Sequence, residues 1–213
     1  MSVIQNQTPS HHSSIISIFL TNLGKYNEGF LIGEWLALPT TADEIKECFK
    51  RINIDAVDYE EYFLTDYESE INGITYYISE YSNLNELNYL ASKLEQLSFD
   101  ELRLYETIIE TGDYVNSIKD LINLTDNLDC YELIPNVQDE SDLGYYWIEE
   151  SGCYDLSKLG NLISYFDYEK FGYDITLEQG GGFTSQGYIY LTDEPVYRDY
   201  DGQLIPDEYR LLF

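Results

Sequence analysis

Carboxylates dominate the residues of this chain that could do chemistry. Forty Asp and Glu stand against 11 Lys and Arg, a formal net charge of -29 over 213 residues. Two histidines and three cysteines complete the reactive set. His11 and His12 sit in a polar opening segment, so a Ser/His or Cys/His pair embedded in the folded body is not expected. Cys48, Cys130 and Cys153 are widely spaced and form no CxxC, which reads as three reduced thiols in a cytoplasmic protein. Paired carboxylates could cleave glycosides, but forty acids supply candidate pairs by number alone. Asp199-x-Asp201-Gly202 with Glu208 resembles part of an EF-hand loop. Tyr197, however, fills the first ligand position and Pro206 interrupts the run. Gly180-Gly181-Gly182 lacks the Lys and Ser/Thr of a phosphate loop and reads as a turn. The expectation is a protein that is not an enzyme, with no cofactor and no metal.

The spacing of the acids is more informative than their number. Between Lys119 and Lys158 there are ten carboxylates and no base: Asp120, Asp126, Asp129, Glu132, Asp139, Glu140, Asp142, Glu149, Glu150 and Asp155. Tyr131, Tyr145, Tyr146, Trp147 and Tyr154 are interleaved with them, so the stretch can bury apolar area. A second base-free window, Arg51 to Lys93, holds nine acids. Like charges at helical spacing, and anions at a helix C-terminus, each cost a few tenths of a kcal/mol or more, to about 1. Glu106, Glu110 and Asp113 take the first arrangement, and Glu149 with Glu150 the second. The candidate anionic surface is therefore Asp55, Asp58, Glu60, Glu61, Asp66, Glu68, Glu70, Glu106, Glu110, Asp113, Asp120, Asp126, Asp129, Asp139, Glu140, Asp142, Glu149 and Glu150. Such charge excludes nucleic acid and anionic membranes as partners and favours basic surfaces or cations.

The elements that must carry these acids follow from hydrophobic patterning. Hydrophobic residues make up 44% and aromatics 15%, enough for a packed core. Residues 1–14 read as a disordered leader. Residues 15–21 (IISIFLT) predict a strand, 22–29 a turn, 30–38 a returning strand and 61–67 a third. Thr41 with Glu44 opens a helix to about residue 52, and Ser98 with Glu101 opens another that Gly112 ends. Leu84, Leu87, Leu90, Ala91 and Leu94 recur at helical spacing, and 118–124 is a short helix. Further on, 130–134 predicts a strand, 141–150 and 156–163 helices, 167–177 a helical turn or two, and 183–191 a strand. The fold class is α+β, an elongated chain of three units. These are 15–80 (α+β), 81–128 (helical) and 129–213 (α+β), with nets of -9, -6 and -14. No unit is spared the charge.

Forty carboxylates at the linear charge density of duplex DNA, one per about 1.7 Å, would match roughly 68 Å, or about 20 base pairs. Several segments resemble the ArdA antirestriction family, whose members mimic DNA. They are NLGKYNEG (22–29) with GEWLALP (33–39), YEEYFLTDYE (59–68), EYSNLNELNYL (80–90), YYWIEESG (145–152) and LGNLISYFDYEKFGYDI (159–175). The last is similar to the antirestriction motif, through Leu159, Gly160, Asn161, Leu162, Ile163, Tyr165, Asp167, Tyr168, Phe171, Gly172 and Asp174. Where the motif usually ends Tyr-Gly-Arg-Asp, this chain has Phe171-Gly172-Tyr173-Asp174, so Tyr173 replaces the arginine. The resemblance implies a homodimer joined through its C-terminal part. It implies carboxylates that stand in for the phosphates of a bent duplex. The implied partners are the specificity and methyltransferase subunits of type I restriction-modification enzymes, with restriction blocked and modification left open. The alternative is a general acidic module that binds cations or basic proteins.

Overall fold

A computed structural model describes residues 14–212, apart from 56, 58, 156, 157 and 159. The architecture is α+β, with two small antiparallel sheets and helices around them. The chain packs as two compact units. Unit 1 takes the described residues up to Leu102, Val115–Asp126 and the chain from Arg198, and unit 2 takes Arg103–Tyr114 and Asn127–Tyr197.

Unit 1 is built on β1 (Ile16–Asn22), which lies between β2 (Gly33–Leu38) and β3 (Tyr62–Ser69). Ile16, Ile18 and Leu20 alternate onto the buried face, as a half-buried strand requires. Phe19 lies opposite Trp35, and their rings meet edge to face at 5.5 Å. The expected turn at 22–29 is a short helix, α1 (Leu23–Asn27). The Asn22 side chain accepts from the Lys25 amide, and Gly29 at φ 90° ends the excursion. For that reason the returning strand starts at Gly33 rather than at residue 30. Thr41 caps α2 (Ala42–Arg51) by accepting from the Glu44 amide at 3.2 Å.

Of the next helices, α3 (Leu84–Leu94) buries Leu84, Leu87, Leu90, Ala91 and Leu94, and α5 (Ile118–Leu124) packs against it. Asparagine amides tie the C-terminal residues to these two helices. Asn123 donates to the Tyr200 carbonyl at 2.9 Å and accepts from its amide at 3.0 Å. Asn85 accepts from the Leu211 and Leu212 amides, and Asn88 donates to the Tyr209 carbonyl. A side-chain amide offers the same donor and acceptor as a peptide group. It can therefore bond an irregular segment that has no strand neighbour.

The helix α4 (Phe99–Thr111) gives its first turn to unit 1 and the rest to unit 2. Ser98 and Glu101 form the reciprocal capping pair, and Gly112 follows at φ 74°. In unit 2, β6 (Gly187–Leu191) lies between β4 (Tyr131–Pro135) and the two-residue β5 (Gly182–Phe183). The single strand expected over 183–191 is thus a hairpin, because the Thr184 amide and hydroxyl both bond the Gly187 carbonyl. Ile134, Val137, Leu143, Tyr188 and Tyr190 form the core, with Tyr146, Trp147, Ile175 and Phe183 against it.

Two helices cover this core, α6 (Glu140–Tyr145) and α7 (Tyr168–Gln179). The helix expected over 141–150 changes to a π-helical turn at Tyr146–Glu150, where the Ser151 amide bonds the Tyr146 carbonyl. The helix expected at 156–163 is a 3-10 segment at Gly160–Tyr165, and Leu156, Ser157 and Leu159 lie outside the described residues. The turn or two expected at 167–177 is the twelve-residue α7, capped by Asp167 and closed by Gly180 at φ 63°.

Candidate acidic binding surface

The charge is unevenly compensated. Unit 1 holds 23 acids against 8 bases and unit 2 holds 17 against 3, nets of -15 and -14 that account for the -29. In unit 1 several bases are engaged. Arg51 bonds Glu34 and Glu44, Lys93 bonds Asp126 at 2.7 Å, Lys50 bonds Glu47 and Arg210 bonds Asp207. Lys25 bonds the Tyr59 hydroxyl and Glu28, and the first bond more than the second raises its pKa. Glu28 is held below the usual carboxylate range, first by the Tyr59 hydroxyl and then by Lys25.

Of the candidate acids, Asp55, Glu60, Glu61, Asp66, Glu68, Glu70, Glu110, Asp113, Asp126, Asp129, Asp139, Asp142, Glu149 and Glu150 are exposed. Glu106, Asp120 and Glu140 are half-buried, and Asp58 lies outside the described residues. Asp66 and Glu68 are carried on β3. Glu60 and Glu61 precede that strand, and Glu70 follows it.

In unit 2 several carboxylates are gripped by neutral donors. Glu110 accepts from both the amide and the hydroxyl of Ser185, at 2.9 and 2.8 Å. Asp139 caps α6 by accepting from the Asp142 amide, while Asp142 accepts from the Gln138 amide. Glu149 accepts from the Tyr168 hydroxyl, and Glu132 from the Tyr190 hydroxyl at 2.6 Å. The carboxylate beside each phenol raises its pKa: Tyr168 is pushed up to about 12, chiefly by the Glu149 hydrogen bond. For Tyr190 burial is the larger cause and Glu132 the second. Sequence reasoning counted Glu132 in the base-free window but not among the candidates, and it missed the tyrosine donors. The alternation of Tyr with Glu was the available signal.

The 159–175 motif divides by role. Asp167 accepts from the Lys170 amide, and Tyr168 packs with Tyr145 and Phe166. Phe171 packs edge-on with Phe166 and Tyr154. Gly172 is buried where α7 meets α6, and a Cβ there would overlap the Glu140 carbonyl oxygen. Gly144 on α6 is its counterpart, facing the Tyr168 carbonyl. Gly160, Asn161, Leu162, Tyr165 and Asp174 are exposed and Ile163 is half-buried; Leu159 lies outside the described residues. Leu162 and Tyr165 are 67% and 86% accessible, and Tyr173 and Leu177 share one face of α7 at 52% and 67%. An arginine at 173 would have added a base beside Leu177; Tyr173 places a phenol ring there instead.

Among the described residues, no three His, Cys, Asp or Glu side chains group to hold a metal ion. Burial pushes the Cys48 thiol up to about 12, which leaves it a packing group. No helix among the described residues is long and apolar enough to cross a membrane.

The family model described as Antirestriction protein (ArdA) matches residues 18–190 of the chain. A search of curated proteins finds no match.

Proposed function

This chain belongs to the ArdA family of antirestriction proteins, and from that premise we propose that it acts as a surrogate for duplex DNA. Its exposed carboxylates occupy the DNA-binding groove of a type I restriction-modification enzyme, gripped by the specificity and methyltransferase subunits. The observation that carries the reading is the fixing of unit 2 carboxylates by hydroxyls and backbone amides. Those donors orient the anions without cancelling them, and a phosphate surrogate needs both order and charge. Basic grooves that release counterions on binding DNA should bind such a surface with a similar salt dependence.

The active species is a homodimer joined through unit 2. Tyr173 with Leu177, and Leu162 with Tyr165, are apolar pairs left in water on a protein this acidic, and a second copy is the occupant that covers them. Two copies lengthen the acidic surface to roughly 40 base pairs' worth of charge.

The test is competition with a labelled duplex for a purified type I methyltransferase, run from about 50 to 500 mM salt. Displacement should weaken steeply as salt rises, and salt-independent inhibition would refute the surrogate mechanism. Equal binding to an unrelated polycation would favour a general acidic module. Sedimentation velocity of Leu177→Glu tests the dimer, which should dissociate.

A further inference from the structure

We propose that tyrosine hydroxyls are the positioning groups of this surface, with Tyr168 setting Glu149 and Tyr190 setting Glu132. This deepens the DNA-surrogate reading and rests on it. Four described tyrosines donate to a glutamate: Tyr168 to Glu149, Tyr190 to Glu132, Tyr200 to Glu86 and Tyr59 to Glu28. In the two unit 2 pairs, the carboxylate is exposed while the phenol ring is buried or half-buried. The rings are anchored: Tyr190 stacks on Tyr188 at 6.0 Å, and Tyr168 lies against Tyr145 at 5.6 Å and Phe166 at 5.2 Å.

A phenol has two side-chain torsions and, once packed, points its hydroxyl in one direction. A glutamate alone has three torsions and must be immobilised when it docks, at a cost in affinity of about 2- to 12-fold per side chain. A lysine partner would immobilise it too, but each lysine removes one unit of the charge that attracts the target. Tyrosine imposes the order and leaves the charge. Both phenols are raised above their ordinary range, Tyr168 chiefly by the Glu149 bond and Tyr190 by burial and then Glu132, so the hydroxyls remain donors at neutral pH. This gives Tyr168 and Tyr190 a role beyond filling the core.

The test uses the full chain carrying Tyr168→Phe and Tyr190→Phe, singly and together, which keep the rings and remove only the hydroxyls. Each single change should weaken competition with duplex DNA by about 2- to 12-fold, while the slope of log affinity against log salt stays the same. Glu149→Gln and Glu132→Gln should instead reduce that slope. NMR relaxation of the Glu149 and Glu132 side chains in the free protein should show lost order in the phenylalanine variants, with thermal melts controlling for folding. Unchanged glutamate order, or undiminished competition by the double variant, overturns the tyrosine role alone. If the unaltered protein fails to displace duplex DNA, the surrogate reading itself falls, and the binding role of the tyrosines falls with it.

Discussion

Gly172→Ala should destabilise unit 2 even though alanine is the better helix former. Gly172 lies within α7, where replacing glycine gains about 1 kcal/mol of helix propensity. Against this, the new Cβ would lie 2.7 Å from the Glu140 carbonyl carbon and 2.9 Å from the Gly144 nitrogen, and would overlap the Glu140 oxygen. All three atoms are backbone, so no side chain can swing aside. Relief requires α6 and α7 to part by roughly 1 Å, and a gap of about 0.5–1 Å forfeits a quarter to a half of each dispersion contact across it. Overpacking of this kind typically costs about 1–3 kcal/mol and occasionally more; with only backbone to yield, about 2–4 kcal/mol applies here, so the net after the propensity gain is about 1–3 kcal/mol. For a chain of this length that lowers Tm by roughly 3–10 °C. The assay is thermal and urea denaturation followed by circular dichroism. Gly144→Ala meets the Tyr168 carbonyl from the other side and should cost a similar amount. Because one separation of the helices accommodates both methyls, the double variant should cost less than the two singles combined. A raised Tm for Gly172→Ala, or strict additivity of the pair, would refute the close-crossing account.

Three further outcomes follow. Tyr168 should ionise near pH 12, and Glu149→Gln should bring it down toward 10 in an ultraviolet titration. Its folded pKa is raised, so the pair's contribution to stability is full below pH 10 and is lost as pH rises through 12; an unchanged titration would remove the bond. Asn123→Ala should cost about 2–4 kcal/mol, because the Tyr200 amide and carbonyl lose their partner together, and proteolysis should then open the C-terminal segment first. Adding salt from about 20 to 500 mM should raise Tm, since the net charge repels itself within about a Debye length; a fall would mean that the ion pairs of unit 1 outweigh that repulsion.

What was legible in the sequence were the features set by nearest neighbours. The alternation of Ile16, Ile18 and Leu20 gives β1, and the Ser98–Glu101 spacing opens α4 where the reciprocal bonds form. Features set by tertiary approach were not legible. The π turn at Tyr146–Glu150 and the length of α7 belong to helices brought together by Gly144 and Gly172, which are 28 residues apart. The hairpin within 183–191 is hidden because Thr184 makes its turn by a hydroxyl bond, with no Asn-Gly signal to mark it. At the candidate surface, composition placed the acids on the outside. It was silent on what orients them, since a Tyr–Glu bond such as Tyr190 to Glu132 joins residues 58 apart.

An acidic surface of this kind faces two opposed requirements. Bases would relieve self-repulsion and order the carboxylates, but every base also weakens the attraction to a DNA-binding groove. Unit 1 relieves its repulsion partly with cations, Arg51 bridging Glu34 and Glu44 being the clearest case. Unit 2, with 3 bases for 17 acids, depends on Ser185, Tyr168, Tyr190 and helix-cap amides. Neutral donors stabilise an anion without cancelling its long-range field. The difference should therefore appear in rate more than in fold. Replacing Glu150, an exposed unit 2 carboxylate outside these bonds, by its amide should slow association with the target at low salt and leave the melting temperature equal or higher. If this amide instead lowered stability while association stayed constant, the carboxylate would be serving the fold and not the partner.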